Sequence, residues 1–491
     1  MSAQPSFPTG GPAFEPRFGF IVALIAIVTL PRLVMIAWGD AHVGGDSFVY
    51  KTVALNILEN FCVSMSNPTT GVCAPHWGGN QLPGYPAFIA AVWLVAGKSI
   101  AAVLVAQTLV FAIAAVRLLV ALAALGLSHR SVLFGACLLG VSPSLIGFSR
   151  GLLTETLATA AAIWLLGELV SSWRAGSLRA VPIALTFCAG LFLRYDFVLT
   201  AVPIAVAGFW LHRPAQAIRR GVLIALIVAL PLGLWTLRSV GQNLPSAPPF
   251  GLTPQGHLLP VGMLSWIGTW LDDQYDLEPT VWQLVHFDHA EFQPPVEAYV
   301  SEAEREQVTA LINKLTRNHQ GAPPPASIDN EFTALAAARI ENHLFDYYVL
   351  LPMRRLAHMW LSPFPGMGWP SEVTGRARER IKSALSDDDW AAVTAEAIDS
   401  TGTVLAKIVV SLHRYLLIGI AFAGLIIVWR QRGWIRFAAA LVLSFAITRS
   451  LFFSVTLLVE TRYLVPALAW LDILALIILA STISRRTSHP R

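Results

Sequence analysis

Residues 18–38 read FGFIVALIAIVTLPRLVMIAW, and the chain turns polar soon after, at Gly44-Gly45-Asp46-Ser47-Phe48-Val49-Tyr50. A helix needs about 20 apolar residues to cross a bilayer. The first stretch meets that need and reads as a membrane span. The second places a carboxylate just beyond its end, in a polar loop that closes on Leu82-Pro83-Gly84-Tyr85-Pro86. The run from Phe18 continues past Pro31 and Arg32 without a small-residue cleavage site. It is therefore expected to be retained as a first helix and not removed as a signal peptide.

The same kind of run recurs along the chain, over about 100–125, 131–148, 155–173, 180–195, 197–211, 219–239, 404–429, 434–453 and 462–481. Of 491 residues, 55% are hydrophobic and 13% charged, where soluble proteins carry roughly a quarter charged. These observations predict an all-α polytopic membrane protein with about ten transmembrane helices. The shorter run 84–97, ending in Gly97-Lys98, reads as a helix lying along the interface. A net charge of +4 gives no reason to expect a nucleic-acid partner. Membrane lipids are the expected surroundings.

The basic residues set an orientation. With a cytoplasmic N-terminus, Arg17, His129-Arg130, Arg174 with Arg179, Arg213 with Arg219-Arg220, Arg430 with Arg432 and Arg436, and Arg485-Arg486 all fall on one side. That agreement with the positive-inside rule predicts both termini in the cytoplasm. The outer side then receives 39–99, the turn near 149–155, the tip between 194 and 197, the segment 241–403, and 454–461. The expected organisation is a disordered tail 1–16, a transmembrane module 17–240, an extracytoplasmic, mainly helical insert 241–403, C-terminal helices 404–482 and a cytoplasmic tail 483–491. The insert is rich in proline from Pro245 to Pro254 and at Pro323-Pro324-Pro325. Residues 300–317 and 329–343 have helical spacing. Leu344 to Leu361 mixes apolar, aromatic and Arg residues as an interfacial helix does, and Trp360, Trp369 and Trp390 suit the same surface.

Most ionisable residues near the apolar runs then gather at their outer ends. Asp46 follows the first run, Arg150 and Glu155 bracket a turn, Arg194 and Asp196 form a tip, Arg238 ends a run, and Arg449, Glu460 and Arg462 cluster. Ionisable groups at membrane depth are costly and usually paired or functional. Long Arg side chains can snorkel to the interface, but the short carboxylates of Asp46 and Glu155 cannot reach far. Arg117 and Asp472 lie well inside their runs and read as structural; His413 and Arg414 could line the outer cavity. Carboxylates serve as general bases or hold divalent cations, and arginines grip phosphate oxygens in pairs. Trp77 and His76, near Gly78 and Gly79, could stack on a sugar. Base, phosphate clamp and membrane surface together point to sugar transfer from a polyprenyl phosphate carrier, with an Asp taking the acceptor's proton.

Five landmarks carry a family resemblance: Gly45-Asp46-Ser47-Phe48-Val49-Tyr50 with Ala54-Leu55-Asn56-Ile57; Leu82-Pro83-Gly84-Tyr85-Pro86; Ser142-Pro143 through Leu153-Thr154-Glu155-Thr156-Leu157; Leu193-Arg194-Tyr195-Asp196; and Glu460-Thr461-Arg462-Tyr463-Leu464-Val465-Pro466. In this order they resemble the GT-C membrane glycosyltransferases, in the bacterial branch related to protein O-mannosyltransferases and lipid A aminoarabinose transferases. The resemblance implies a polyprenyl-phosphate-sugar donor and a lipid, glycan or protein acceptor. It implies an inverting transfer with Asp46 as base and Glu155 in support. It also implies a bacterial inner-membrane enzyme working on the periplasmic side. Phosphate contacts would fall to Arg194, Arg462 and Arg238, and substrate contacts to Trp77, Tyr85, Asp196, Glu460 and Tyr463. Some relatives carry an acidic–basic pair before the first-loop proline. Here Asn80 and Gln81 stand there, leaving His76 or Lys51 to meet the phosphate. No cofactor or metal site is expected from the motifs, and a divalent cation stays open.

Of four cysteines, Cys137 and Cys188 sit in apolar runs. Cys62 and Cys73 share the first polar loop. A disulfide between them and a pair of free thiols are both compatible with an extracytoplasmic loop. Two other function classes compete with a glycosyltransferase. A polymerase or ligase of surface polysaccharide shares the donor class. A transporter or lipid flippase would place charges near the bilayer midplane and interrupt helices there.

Overall fold

The computed structural model describes residues 16–39, 41–73, 82–241, 260–277, 280–281, 283–285, 287–363, 383–399, 401–457 and 459–487. His76, Trp77, Asn80, Gln81 and Trp369, the proline-rich 245–254, and all but Pro16 of the tail 1–16 lie outside these residues. The described chain is helical, with no strand; a lone bridge joins His42 to Gly151. The protein is an all-α membrane protein.

Among the described residues, seven helices are long and apolar enough to cross a membrane, and a bent pair would make an eighth. The seven are α1 (Phe18–Trp38), α4 (Ile100–Ala123), α7 (Glu155–Ala175), α10 (Pro214–Gly241), α17 (Thr401–Arg430), α18 (Gly433–Ser454) and the helix ending in α19 (Val465–Thr487). The bent pair is α5 (His129–Val141) with α6 (Pro143–Ile146) and the following turn, at 45°. Pro143 supplies no N–H and pushes Ser142 out of the helical region, and Ser142 adopts ψ 115°. The two remaining runs expected to cross form α8 (Ala180–Leu193) and a 3₁₀ turn, Tyr195–Thr200, leading into α9 (Ala201–Leu211). Both are shorter than a full crossing requires.

Two compact units divide the chain. Unit 1 holds residues 1–237, 363–447 and 465–491; unit 2 holds 238–362 and 448–464. Residues 448–464 fall with 238–362 in unit 2. Helix α19 also runs through Thr487, past the expected end at 482.

In unit 1, α4 packs on α1, α5 and α7, and α19 packs on α5, α7 and α17. Helix α2 (Asp46–Asn60) packs on α3 (Gly84–Ala96), which meets α4 and α8. Ser99 and Ser128 cap α4 and α5 by accepting from Ala102 and Ser131 N–H groups at 3.2 Å each, satisfying donors that a helix start leaves open.

Unit 2 is built on α11 (Val261–Ile267), α12 (Gln283–Val285), α13 (Glu302–Asn318), α14 (Ala326–Asn342), a π-helical turn Asp346–Leu350 and α15 (Leu351–Leu361). Trp266, Ile267, Leu271, Val308, Leu311 and Phe332 form its core. Trp266 Nε1 donates to buried Glu304 at 2.8 Å. Helix α16 (Trp390–Asp399) falls in unit 1.

Candidate functional site

Asp46 is not a loop residue: it is the first residue of α2. Gly45 turns the chain at φ +48°, a conformation that suits glycine. The carboxylate stands in the first helical turn, at the positive end of the helix dipole. One turn on, Tyr50 shares the helix face of Asp46. Its ring meets that of Tyr85 edge-on, centroids 5.1 Å apart. Tyr85 is fully buried and lies within electrostatic range of Tyr50 and Glu155. Its hydroxyl donates to Gln107 Oε1 at 3.0 Å, and Gln107 Nε2 donates to the Gly151 carbonyl at 3.1 Å.

Glu155 starts α7, again at a helix N-terminus, and is 2% exposed. Arg194 Nη1 donates to Glu155 Oε1 at 2.8 Å and to Thr154 Oγ1 at 3.1 Å, while its Nε donates to Asp196 Oδ1 at 3.0 Å. Arg194 reaches them because α8 stops at Leu193 and the chain turns extended at Arg194, φ −151° and ψ 134°. Helix α3 starts against that break. A Cβ on Gly84 would overlap the Phe192 carbonyl oxygen, so this position in Leu82-Pro83-Gly84 needs glycine for the close approach. Tyr50, Tyr85, Glu155, Arg194 and Asp196 thus come together in unit 1, from α2, α3, α7 and the α8 break, and Asp46 lies one helical turn before Tyr50 on α2. Lys51, next on α2, makes no ion pair among the described residues.

Arg238, Glu460, Arg462 and Tyr463 belong to unit 2. There Arg462 grips Glu460 at 2.7 and 3.0 Å, Arg449 Nε donates to the Tyr463 carbonyl at 2.8 Å, and the Tyr463 ring stacks on Phe453 at 4.7 Å. Both Arg194 and Arg462 are matched to carboxylates of their own unit. Each would have to exchange a carboxylate for a phosphate to act as a clamp.

A second polar network lies among buried residues of unit 1. His413 stands between Ser144 Oγ (Nδ1, 2.9 Å) and Asp472 Oδ1 (Nε2, 2.9 Å), and Ser142 Oγ donates to Asp472 Oδ2 at 2.8 Å. It joins α17 and α19 to the bend at Ser142-Pro143. His413, which the sequence reading allows to line the outer cavity, is held by this network. Arg117 does not meet Asp472; it and Arg179 share buried Glu168, at 3.0 and 2.7 Å. Arg32, 1% exposed, donates to Ser149 Oγ at 2.8 Å and to the Leu139 carbonyl at 3.0 Å, with Phe111 beneath it at 3.8 Å.

Thr154, Tyr50, Gln107 and Arg32 escaped the sequence reading as site residues. Gln107 and Arg32 had a visible signal, each a lone polar group in an apolar run. Cys62 and Cys73 form a disulfide, with Cα atoms 6.2 Å apart, after α2. Among the described residues, no group of three or more His, Cys, Asp or Glu is placed to hold a metal ion. No protein-family model matches this chain, and no curated protein matches it.

Proposed function

We propose that this protein is a membrane glycosyltransferase of the GT-C kind. It moves a sugar from a polyprenyl-phosphate donor to a lipid, glycan or protein acceptor on the extracytoplasmic face of a bacterial inner membrane. The observation that carries the reading is the buried Arg194 cluster with Glu155 and Asp196, from segments far apart in sequence, near Tyr85 and Tyr50, whose helix begins at Asp46. In the transfer, the acceptor oxygen bonds to the anomeric carbon while the carbon–oxygen bond to phosphate breaks. Asp46 takes the acceptor proton, and the lipid phosphate leaves with the bonding electron pair. Lys51 meets no carboxylate among the described residues and is suited to meet that phosphate, with Arg194 following once it exchanges partner.

Asp46→Asn tests this in membrane vesicles supplied with labelled polyprenyl-phosphate sugars. Transfer should stop while the amount of inserted, folded protein stays unchanged. Near-normal turnover would exclude Asp46 as the base.

A transporter is favoured by one observation, the bent helix at Ser142-Pro143 beside the buried His413–Asp472 pair. Interrupted helices with ionisable groups line many transport paths. His413→Ala should abolish proton-linked flux on that reading; on the transfer reading it should leave labelled sugar transfer measurable.

A further inference from the structure

Unit 2 holds a cavity of about 610 Å³ that sugar transfer, as proposed, does not use. Its size lies in the range of small-molecule sites, about 300–1,000 Å³. The polar lining is Thr269, Arg339, His343, Asp346, Tyr347 and Arg354, and the apolar lining includes Ile340, Leu350 and Met353. Two guanidiniums and the Asp346 carboxylate face the cavity, while Glu304 and Asp272, which meet Arg339 and Arg354, lie outside its lining. Arg339 spends only Nη1, on the Ala298 carbonyl at 2.6 Å and Glu304 Oε1 at 3.5 Å. Its Nε and Nη2, and the Tyr347 hydroxyl, make no hydrogen bond among the described residues. Arg354 meets Asp272 through Nε alone, at 3.4 Å.

Two features set this cavity apart from a packing gap. It is bordered by the π-helical turn Asp346–Leu350. Such turns are rare and recur at functional sites; this one contributes Asp346, Tyr347 and Leu350 to the lining. The same stretch also leaves Leu344, Phe345, Tyr348 and Met353 more than half exposed. Apolar surface beside a cavity that presents the unused N–H groups of two guanidiniums fits a molecule that is anionic at one end and greasy at the other.

We infer that this cavity binds a phosphate-headed lipid. Arg339 and Arg354 hold phosphate oxygens, Tyr347 donates to a third, and the acyl chain lies over Leu350 and Met353. This inference does not rest on sugar transfer, and Asp46→Asn should bind the lipid as the natural chain does.

Native mass spectrometry of the full chain in neutral detergent tests it with three probes: dioleoylphosphatidic acid, dioleoylglycerol and inorganic phosphate. One phosphatidic acid should be retained at least tenfold better than dioleoylglycerol, and inorganic phosphate should not displace it. Arg339→Gln should cut retention at least tenfold. Because Arg339 also neutralises buried Glu304, Ala357→Trp provides an independent variant that fills the cavity without touching a charge. It should lose the bound lipid with its unfolding temperature unchanged. Equal retention by Ala357→Trp and the natural chain would overturn the site. Equal retention of dioleoylglycerol would overturn the anionic head, and displacement by inorganic phosphate would overturn the lipid.

Discussion

Replacing Arg194 with Met removes the cation that Glu155 and Asp196 share while keeping most of the side-chain volume. The three side chains are 13%, 2% and 10% exposed, so water cannot take over the lost hydrogen bonds. Removing one partner of a buried pair costs about 3–5 kcal/mol, because the orphaned charge keeps its desolvation penalty. That corresponds to roughly a hundredfold to several-thousandfold in the folded-to-unfolded ratio. The helix dipole at the start of α7 returns only about 0.3–1 kcal/mol of it to Glu155. Adding Glu155→Gln should recover part of the loss, because the neutral amide has no charge to leave unpaired. A double-mutant cycle should then show a coupling of about 1.5–3 kcal/mol. The assay is reversible unfolding in mixed micelles with increasing sodium dodecyl sulfate, followed by tryptophan fluorescence. A loss below about 1 kcal/mol for Arg194→Met, or strict additivity of the two changes, would refute a buried pair.

Three further outcomes are expected. Arg462→Ala should raise the KM for the polyprenyl-phosphate donor several-fold and leave the acceptor KM unchanged; equal loss of both would mark Arg462 as structural. Burial, helped by Arg220, lowers the pKa of His212 from 6.5, and neutral His212 Nε2 accepts the Leu178 N–H at 3.0 Å. The unfolded chain then binds the proton more readily, so this contribution is complete above pH 6.5 and is lost as pH falls through the lowered pKa. His212→Gln should flatten that part of the stability–pH curve, and an unchanged curve would refute the assignment. Cys62→Ser removes the constraint on a short loop and should cost up to about 3 kcal/mol on the chain-entropy account, read as faster proteolysis after α2.

Much of the fold was legible because apolar run length is a local property. Each run needs only its own residues to be recognised, and α1, α4, α7, α10, α17 and α18 lie close to their expected positions. The crossings that sequence could not settle are the runs at 180–195 and 197–211, where the break at Arg194 leaves each helix too short to be judged by hydropathy alone. The helices expected at 300–317 and 329–343 appear as α13 and α14 for the same local reason. The division into units was less legible: residues 448–464 join the insert across a long sequence gap, and only packing reveals that.

The sequence by itself determined a membrane protein of apolar helices, with Asp46, Glu155, Arg194 and Arg462 as its conspicuous charges. It could not pair those charges. Hydropathy reports the depth of a residue, whereas a hydrogen bond depends on where two helices cross. Only the tertiary structure gave Arg194 to Glu155 and Asp196, Arg462 to Glu460, Asp472 to His413 and Arg117 to Glu168. It also turned Asp46 from a loop carboxylate into the first residue of a helix whose Tyr50 meets Tyr85. Those pairings follow from the desolvation cost of buried charge, which drives each ion to the partner that packing brings within reach.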